Sequence, residues 1–398
     1  MFKHNIKTYI FFVLFFVLFY NETLSLGIIN ISQAWKLLLF FYLVITVLKT
    51  KFKKPPTFVN LSYLRSIKYI FNPGIYYNPF VEILDFYRYS LFPLFYQFFT
   101  IKNFKEYQIN RFLESISIFF ILSFLPFTFG IFESRGVQLD YYEGFENLTG
   151  IFQGAHAASI TITFSVLTLL YFLKNYNLSR LRKFYYVVLI LFGLYINYIT
   201  YVRTGYLMIL IGFIIIYLPK NISIGAIVKF LFLILILLVF VYLLLESNTD
   251  FYNRIFDIRL GNQKETGSGR LIFWNTAHSL WYNGDFFNLL FGFGFDKMAD
   301  TIYGQTGLRV SAHNEFFSQL AQNGLIGLVL LIFFLKSLFK FIQTRKKMSS
   351  YRISITYFII YVSLMLTQGG FWFFPEIYLA LITCKLEKEY VQSKKIIK

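Results

Sequence analysis

Gly267-Ser268-Gly269-Arg270-Leu271-Ile272-Phe273-Trp274, running on to Trp281, is the densest grouping of chemically able side chains in this sequence. Ser268 suits a helix N-cap after a flexible glycine turn. In a helix starting there, Arg270, Trp274, Ala277 and Trp281 share one face at spacings of four, three and four. A guanidinium beside two indoles can hold a phosphate and stack a sugar ring. The same pattern also suits an amphipathic helix lying on a membrane, with tryptophan anchors and a snorkelling arginine. Downstream, Phe291-Gly292-Phe293-Gly294-Phe295 reads as a tight turn or a close backbone approach, with phosphate as one candidate for what approaches.

His313-Asn314 is followed, nine residues on, by Gly324-Leu325-Ile326-Gly327. Ser311 is a candidate cap for a helix carrying His313 in its first turns, and Asn323-Gly324 is expected to break that helix and start a membrane span. His313 would then lie at a membrane boundary, either without a task or facing a lipid-borne head group. Arg203 stands between two strongly apolar runs in Tyr201-Val202-Arg203-Thr204-Gly205-Tyr206-Leu207. An arginine is costly there unless it reaches the interface or a partner, and an anionic ligand is one such partner. Glu82, Asp85 and Arg88, spaced by three, are expected to neutralise one another within a helix.

The elements that must position these residues are membrane helices. Of 398 residues, 57% are apolar and only 15% charged, with 53 Phe and 31 Tyr. A soluble domain carries roughly 25% charged residues, so too little charge is present to cover a water-facing surface. Mean hydropathy is +0.57. A soluble enzyme, a disordered chain and a nucleic-acid-binding domain are poor readings despite a pI near 9.6. Cys384 is the single cysteine, which excludes an internal disulfide and any CxxC metal site. Four histidines (His4, His156, His278, His313) leave little material for a zinc centre, so no metal is expected.

About 20 apolar residues cross a bilayer. Candidate spans fall near 8–26, 28–48, 80–100, 112–132, 151–173, 184–202, 205–219, 227–245, 321–339, 353–368 and 370–384. The first lacks a small-x-small cleavage site and is read as an uncleaved helix. Positive charge sorts them: 25 of the 38 basic residues fall on one side if both termini are cytoplasmic. The basic segments at 49–54 and 101–111 then require an even number of crossings between them. The stretch 57–78, carrying Arg65 and Lys68, becomes a poor or re-entrant span paired with 80–100. The expected fold is all-α, a polytopic membrane protein of about twelve spans. Its divisions are a helix bundle (1–245), a large extracytoplasmic loop (246–312) and terminal spans with a basic tail (313–398). The opposite side is acidic at 133–150, with Glu133, Asp140, Glu143 and Glu146 against Arg135. The 246–312 loop holds seven acids and six bases, and long loops of this kind are usually functional.

His-Asn-x9-Gly-x2-Gly before a late span, Gly-Arg-x3-Trp and Gly-x-Gly in the preceding loop, and Arg203-x3-Leu207 together resemble the O-antigen ligase/polymerase superfamily. The resemblance in topology covers most of the chain, and the motifs cover about 200–212 and 267–328. The 57–78 stretch departs from that topology. What the resemblance implies is a GT-C-like glycosyltransferase of the bacterial cytoplasmic membrane, needing no metal or cofactor. It would take glycan from undecaprenyl diphosphate and pass it to an acceptor hydroxyl. Arg203 and Arg270 would meet the diphosphate, and His313 would activate the acceptor or stabilise the leaving group. Trp274, Trp281, Asn314, Gly292 and Gly294 would complete the substrate-binding set. The implied partners are the lipid-linked oligosaccharide, membrane lipid and, as a candidate, a chain-length regulator, with no nucleic acid. A polysaccharide polymerase is the leading expectation and an O-antigen ligase its close alternative. A lipid-linked oligosaccharide flippase is the alternative from another class, disfavoured because carriers place polar groups near the midplane.

Overall fold

The computed structural model describes residues 25–26, 29–49, 55–70, 79–102, 104–132, 148–152, 154–218, 270–369 and 373–397, with scattered positions between 225 and 252. The expected spans at 8–26 and 227–245 and the acidic segment 133–147 lie outside these residues, as do Gly267, Ser268 and Gly269.

Fourteen helices carry almost all of the described chain, with one two-rung antiparallel pairing of Ser25–Leu26 with Ile29–Asn30 before the first. They are α1 (Ile31–Leu48), α2 (Thr57–Ile70), α3 (Pro79–Ile101), α4 (Glu106–Leu122), α5 (Leu125–Thr128), α6 (Ala155–Asn175), α7 (Arg180–Thr200) and α8 (Arg203–Tyr217). The second half contributes α9 (Arg270–Tyr282), α10 (Phe286–Phe291), α11 (Phe295–Thr306), α12 (Glu315–Gln343), α13 (Tyr351–Thr367) and α14 (Phe373–Ile397). Eight of the nine described candidate spans each fall on one of these helices, and 112–132 falls on α4 and α5 together. Four stretches are long and apolar enough to cross a membrane: Glu106–Thr128, Ala155–Asn175, Arg180–Thr200 and Glu315–Gln343. Leu37–Leu48, Arg203–Tyr217 and Tyr351–Thr367 are shorter apolar helices. The protein is an all-helical membrane protein.

Helix α6 is the axis of the bundle, buried at every position from Ala158 to Phe172. Its hydroxyls bond inside it and across helices, Thr163 Oγ1 excepted: Ser165 Oγ reaches the Thr161 carbonyl (2.9 Å) and Tyr378 Oη (3.0 Å), which also meets Ser117 (3.1 Å). In an apolar medium such bonds hold helices together without a hydrophobic driving force. One end of the bundle gathers the basic helix ends. Lys385 is fully buried against Tyr176 (2.6 Å) and Tyr171 (3.2 Å), with Glu106 and Glu389 within 4 Å. Arg182 pairs with Glu114 (2.5 Å), and Lys174 and Arg352 both donate to the Ile216 carbonyl.

The short helices α9–α11 sit over the other end on a small core of their own. Phe273, Ala277, Met298, Ile302, Ala312 and Ala321 form it, with Trp274 and Phe317 packed alongside. The described part of the ambiguous stretch, 57–70, is α2, which packs antiparallel along α3 from the basic end toward this cap. Lys68 near its C-terminus donates to the Phe291 carbonyl (2.9 Å) and to Asn323 Oδ1 (3.1 Å). Of the acidic-basic triplet in α3, Asp85 and Arg88 do pair (2.9 Å); the Glu82 side chain lies outside the described set.

Candidate active site

Arg203 is the first residue of α8 because the chain reverses within two residues. Tyr201 caps α7 in the left-handed region (φ 53°) and Val202 is extended, so α8 starts back at once. Gly205 permits this reversal to sit tight against the bundle. A Cβ there would lie 2.0 Å from Ser159 Oγ and 2.7 Å from Asn197 Oδ1. The half-buried guanidinium therefore shares its position with the positive end of the α8 dipole. Next to it, Thr204 Oγ1 accepts from Gln368 Nε2 (3.4 Å), which follows α13.

Gln368 ties this turn to the histidine motif. Its backbone carbonyl takes a hydrogen bond from the His313 ring, and two residues earlier the Leu366 carbonyl takes one from Asn314 Nδ2 (3.1 Å). The local arrangement at His313 differs from the sequence expectation. Helix α12 begins at Glu315, and its cap is Asn314, whose Oδ1 accepts from the amides of Phe316 (2.9 Å) and Phe317 (3.3 Å). Ser311 is not that cap; its hydroxyl accepts from the His313 amide (3.4 Å), closing a turn. His313 thus precedes the helix, in the left-handed region at φ 50°. Asparagine wins as cap because its carbonyl oxygen reaches two orphan amides at once. The approach to His313 is clamped by Arg309, which bridges Asp296 and Asp300 on α11 (2.8 Å each).

The His313 ring packs on Phe273 (centroids 5.7 Å apart). Burial first, and then the neighbouring Arg270 cation, push its pKa below the ordinary 6.5, opposed by the Gln368 carbonyl. Arg270, at the start of α9, is therefore within electrostatic reach of the imidazole. A neutral imidazole with one nitrogen donating to a carbonyl offers the other as an acceptor. Such a group can take a proton from a hydroxyl.

The α9 face expected to unite Arg270, Trp274, Ala277 and Trp281 exists, and it is turned onto the cap core. Ala277 is fully buried. Trp274 stacks on Phe317 (5.9 Å, 23°), while its indole N–H is buried without a hydrogen-bond partner among the described residues. Trp281 latches α9 to α10 by donating to the Leu289 carbonyl (2.9 Å).

The expected close backbone approach at the Gly-x-Gly is present, and the partner is the chain's own backbone. Gly292 (φ 81°) lies so near the break in α12 that a Cβ would sit 2.3 Å from the Gln322 carbonyl. Its counterpart Gly324 (φ 63°, ψ −165°) would meet the Leu290 carbonyl at 2.4 Å. The amides of Phe293 and Gly294 donate to Ala321 (2.8 Å) and Gln322 (3.0 Å), pairing the segment with the unwound turn. Asn323-Gly324 does break the helix, as expected.

Sequence reasoning missed the α2 contribution. Arg65, Lys68 and Tyr69 reach Glu315, Asn323 and Gln319 on α12. Charges in an aromatic, half-apolar stretch were the available signal, and they read only as a flaw in a span. Among the described residues, no three His, Cys, Asp or Glu side chains converge as a metal site.

Residues 185–332 match the family model described as O-antigen ligase. Over that segment the chain is similar to the O-antigen ligase family. The matched segment runs from α7 through the cap into α12, so it contains Arg203, Arg270 and His313. No curated protein matches this chain.

Proposed function

We propose that this protein belongs to the O-antigen ligase/polymerase superfamily and is a polysaccharide polymerase of the bacterial cytoplasmic membrane, of GT-C-like architecture with about twelve spans. It joins lipid-linked repeat units of O-antigen, capsule or exopolysaccharide on the outer leaflet. The observation that carries the reading is the meeting of three separated motifs at one end of the bundle. Gln368 touches both the Arg203-Thr204 turn and His313, and Arg270 acts on the same imidazole.

In this reading an acceptor hydroxyl of one repeat unit attacks the anomeric carbon of another. The new C–O bond forms as the bond from that carbon to the diphosphate oxygen breaks. The hydroxyl proton passes to the free nitrogen of His313, and undecaprenyl diphosphate leaves with its charge held by Arg203 and Arg270. Fixed guanidiniums suit that task, because they are charged at all relevant pH values and bind phosphate bidentately. Trp274, with its unpartnered N–H, serves as sugar platform and donor. Trp281, Asn314, Gly292 and Gly294 shape the wall around it through the contacts given above.

Purified protein in nanodiscs, given lipid-linked repeat unit as both donor and acceptor, tests this. Arg203→Ala, Arg270→Ala and His313→Ala should each lower polymer formation by at least about 100-fold at normal protein levels. Unchanged polymer length and amount in these variants would sink the assignment. The ligase reading shares the donor chemistry; it wins if a deletion strain accumulates long lipid-linked polymer instead of single-repeat surface glycan.

A further inference from the structure

We propose that Arg65 on α2 and Glu315 on α12 form a positioning pair that fixes the turn presenting His313; this deepens the functional reading above and rests on it. Helix α2 carries its polarity inward. Phe58, Ser62, Arg65, Ser66 and Tyr69 are buried, whereas Leu64 and Ile67 point outward at 52% and 40% exposure. A helix that keeps an arginine inside and leucine outside is built around that arginine. Arg65 (3% exposed) lies 3.8 Å from Glu315 Oε1 (2% exposed). Its guanidinium also covers the Tyr89 ring at 4.2 Å.

Glu315 is held from three directions. Tyr89 Oη donates to its Oε2 (3.1 Å), Gln319 Nε2 to its Oε1 (2.7 Å), and Arg65 faces it from α2. Tyr89 in turn stacks flat on Tyr69 (4.8 Å, 4°), which accepts from Gln319 (2.5 Å). The chain of contacts continues through Asn323 Nδ2 to Gln319 Oε1 (3.1 Å) and ends at Lys68 on Asn323. It therefore links the first turn of α12 to its break. Two other buried carboxylates lie nearby: Glu376 is bonded to Tyr361 (3.0 Å) and Asp85 is paired with Arg88 (2.9 Å).

A buried ion pair adds little net stability over well-packed apolar groups of the same size. Its geometry, however, is specific. Here it acts two residues from His313, whose backbone is in the left-handed region that a non-glycine residue keeps only when its surroundings impose it. Asn314 ties one side of that turn to the Leu366 carbonyl, and Glu315 ties the other to α2 and α3. Displacement of a reacting group by about 1 Å costs about 100-fold in rate.

The test uses Glu315→Gln, Arg65→Met, Arg65→Lys and the double variant Arg65→Met/Glu315→Met in nanodiscs, with lipid-linked repeat unit as substrate. The double variant removes both members of the pair together and nearly keeps side-chain volume, leaving Glu376, the other buried carboxylate that Arg65 acts on, to its Tyr361 bond. It should retain Tm and the KM for the repeat unit within about twofold while kcat falls about 10- to 100-fold. Glu315→Gln should behave likewise, and Arg65→Lys should keep more turnover than Arg65→Met. Wild-type kcat in the double variant, equal turnover in the two Arg65 single variants, or failure of both Glu315→Gln and the double variant to accumulate would each overturn the proposal. His313→Ala in the same assay separates the two levels. If it remains active, the functional reading fails; if it is dead while the double variant turns over normally, only the pair is refuted.

Discussion

The imidazole of His313 is held neutral by its surroundings, and this has a pH consequence. Burial and the Arg270 cation both disfavour its protonated form, so its pKa lies below 6.5. A neutral base acts above its pKa and is lost as pH falls through it. The acid limb of kcat/KM should therefore lie below pH 6.5. In Arg270→Gln the cation is gone, His313 regains protons more readily, and the acid limb of the residual activity should move upward toward 6.5. Arg270→Lys should leave the limb in place. A pH-rate profile for the three proteins decides the matter, and superimposable limbs in wild type and Arg270→Gln would contradict the coupling. The types and spacing of Arg203, Arg270 and His313 were legible in the sequence. The cap was not: Ser311 and Asn314 both suit one, and which oxygen reaches the amides depends on where the Leu366 carbonyl holds Asn314.

Helix α12 depends on its break. Gly324 adopts φ 63° and ψ −165°, a conformation open essentially to glycine alone, and its missing Cβ makes room for Leu290. Gly324→Ala should therefore cost at least about 3 kcal/mol, strain and backbone overlap acting together. Gly292→Ala should cost a similar amount for the mirrored reason, its Cβ colliding with Gln322. Thermal unfolding in detergent measures both, and a wild-type Tm in either variant would contradict the geometry. A break at Asn323-Gly324 could be read from the sequence because Gly ends helical periodicity. That the Gly292 segment supplies the facing backbone could not, since two glycines 32 positions apart carry no sign of their contact. The same limit applied to α2: its arginine looked like a defect in a span until Glu315, 250 positions away, took the charge.

At the scale of the whole molecule the helix ends sort into a basic end and a site end. The topology proposed for them is directly testable, because Cys384, the one cysteine, is 1% exposed and unreactive toward bulky reagents. Asn275→Cys on the exposed side of α9 should label with a membrane-impermeant maleimide in intact cells. Lys346→Cys, beyond α12 at the basic end, should label only after permeabilisation. The reverse pattern would invert the orientation and, with it, the proposed access to outer-leaflet donor.

The sequence by itself determined the membrane class, the helical character of the described candidate spans and the break at Asn323-Gly324, because apolar length and glycine breaks are local properties. Only the tertiary structure decided which residues meet. Gln368 reaches back 164 residues to Thr204 in the Arg203 turn and also meets His313, and Arg65 finds Glu315 across the bundle. A buried charge is stabilised by whichever partner packing brings within reach, and periodicity along one helix carries no record of its neighbour.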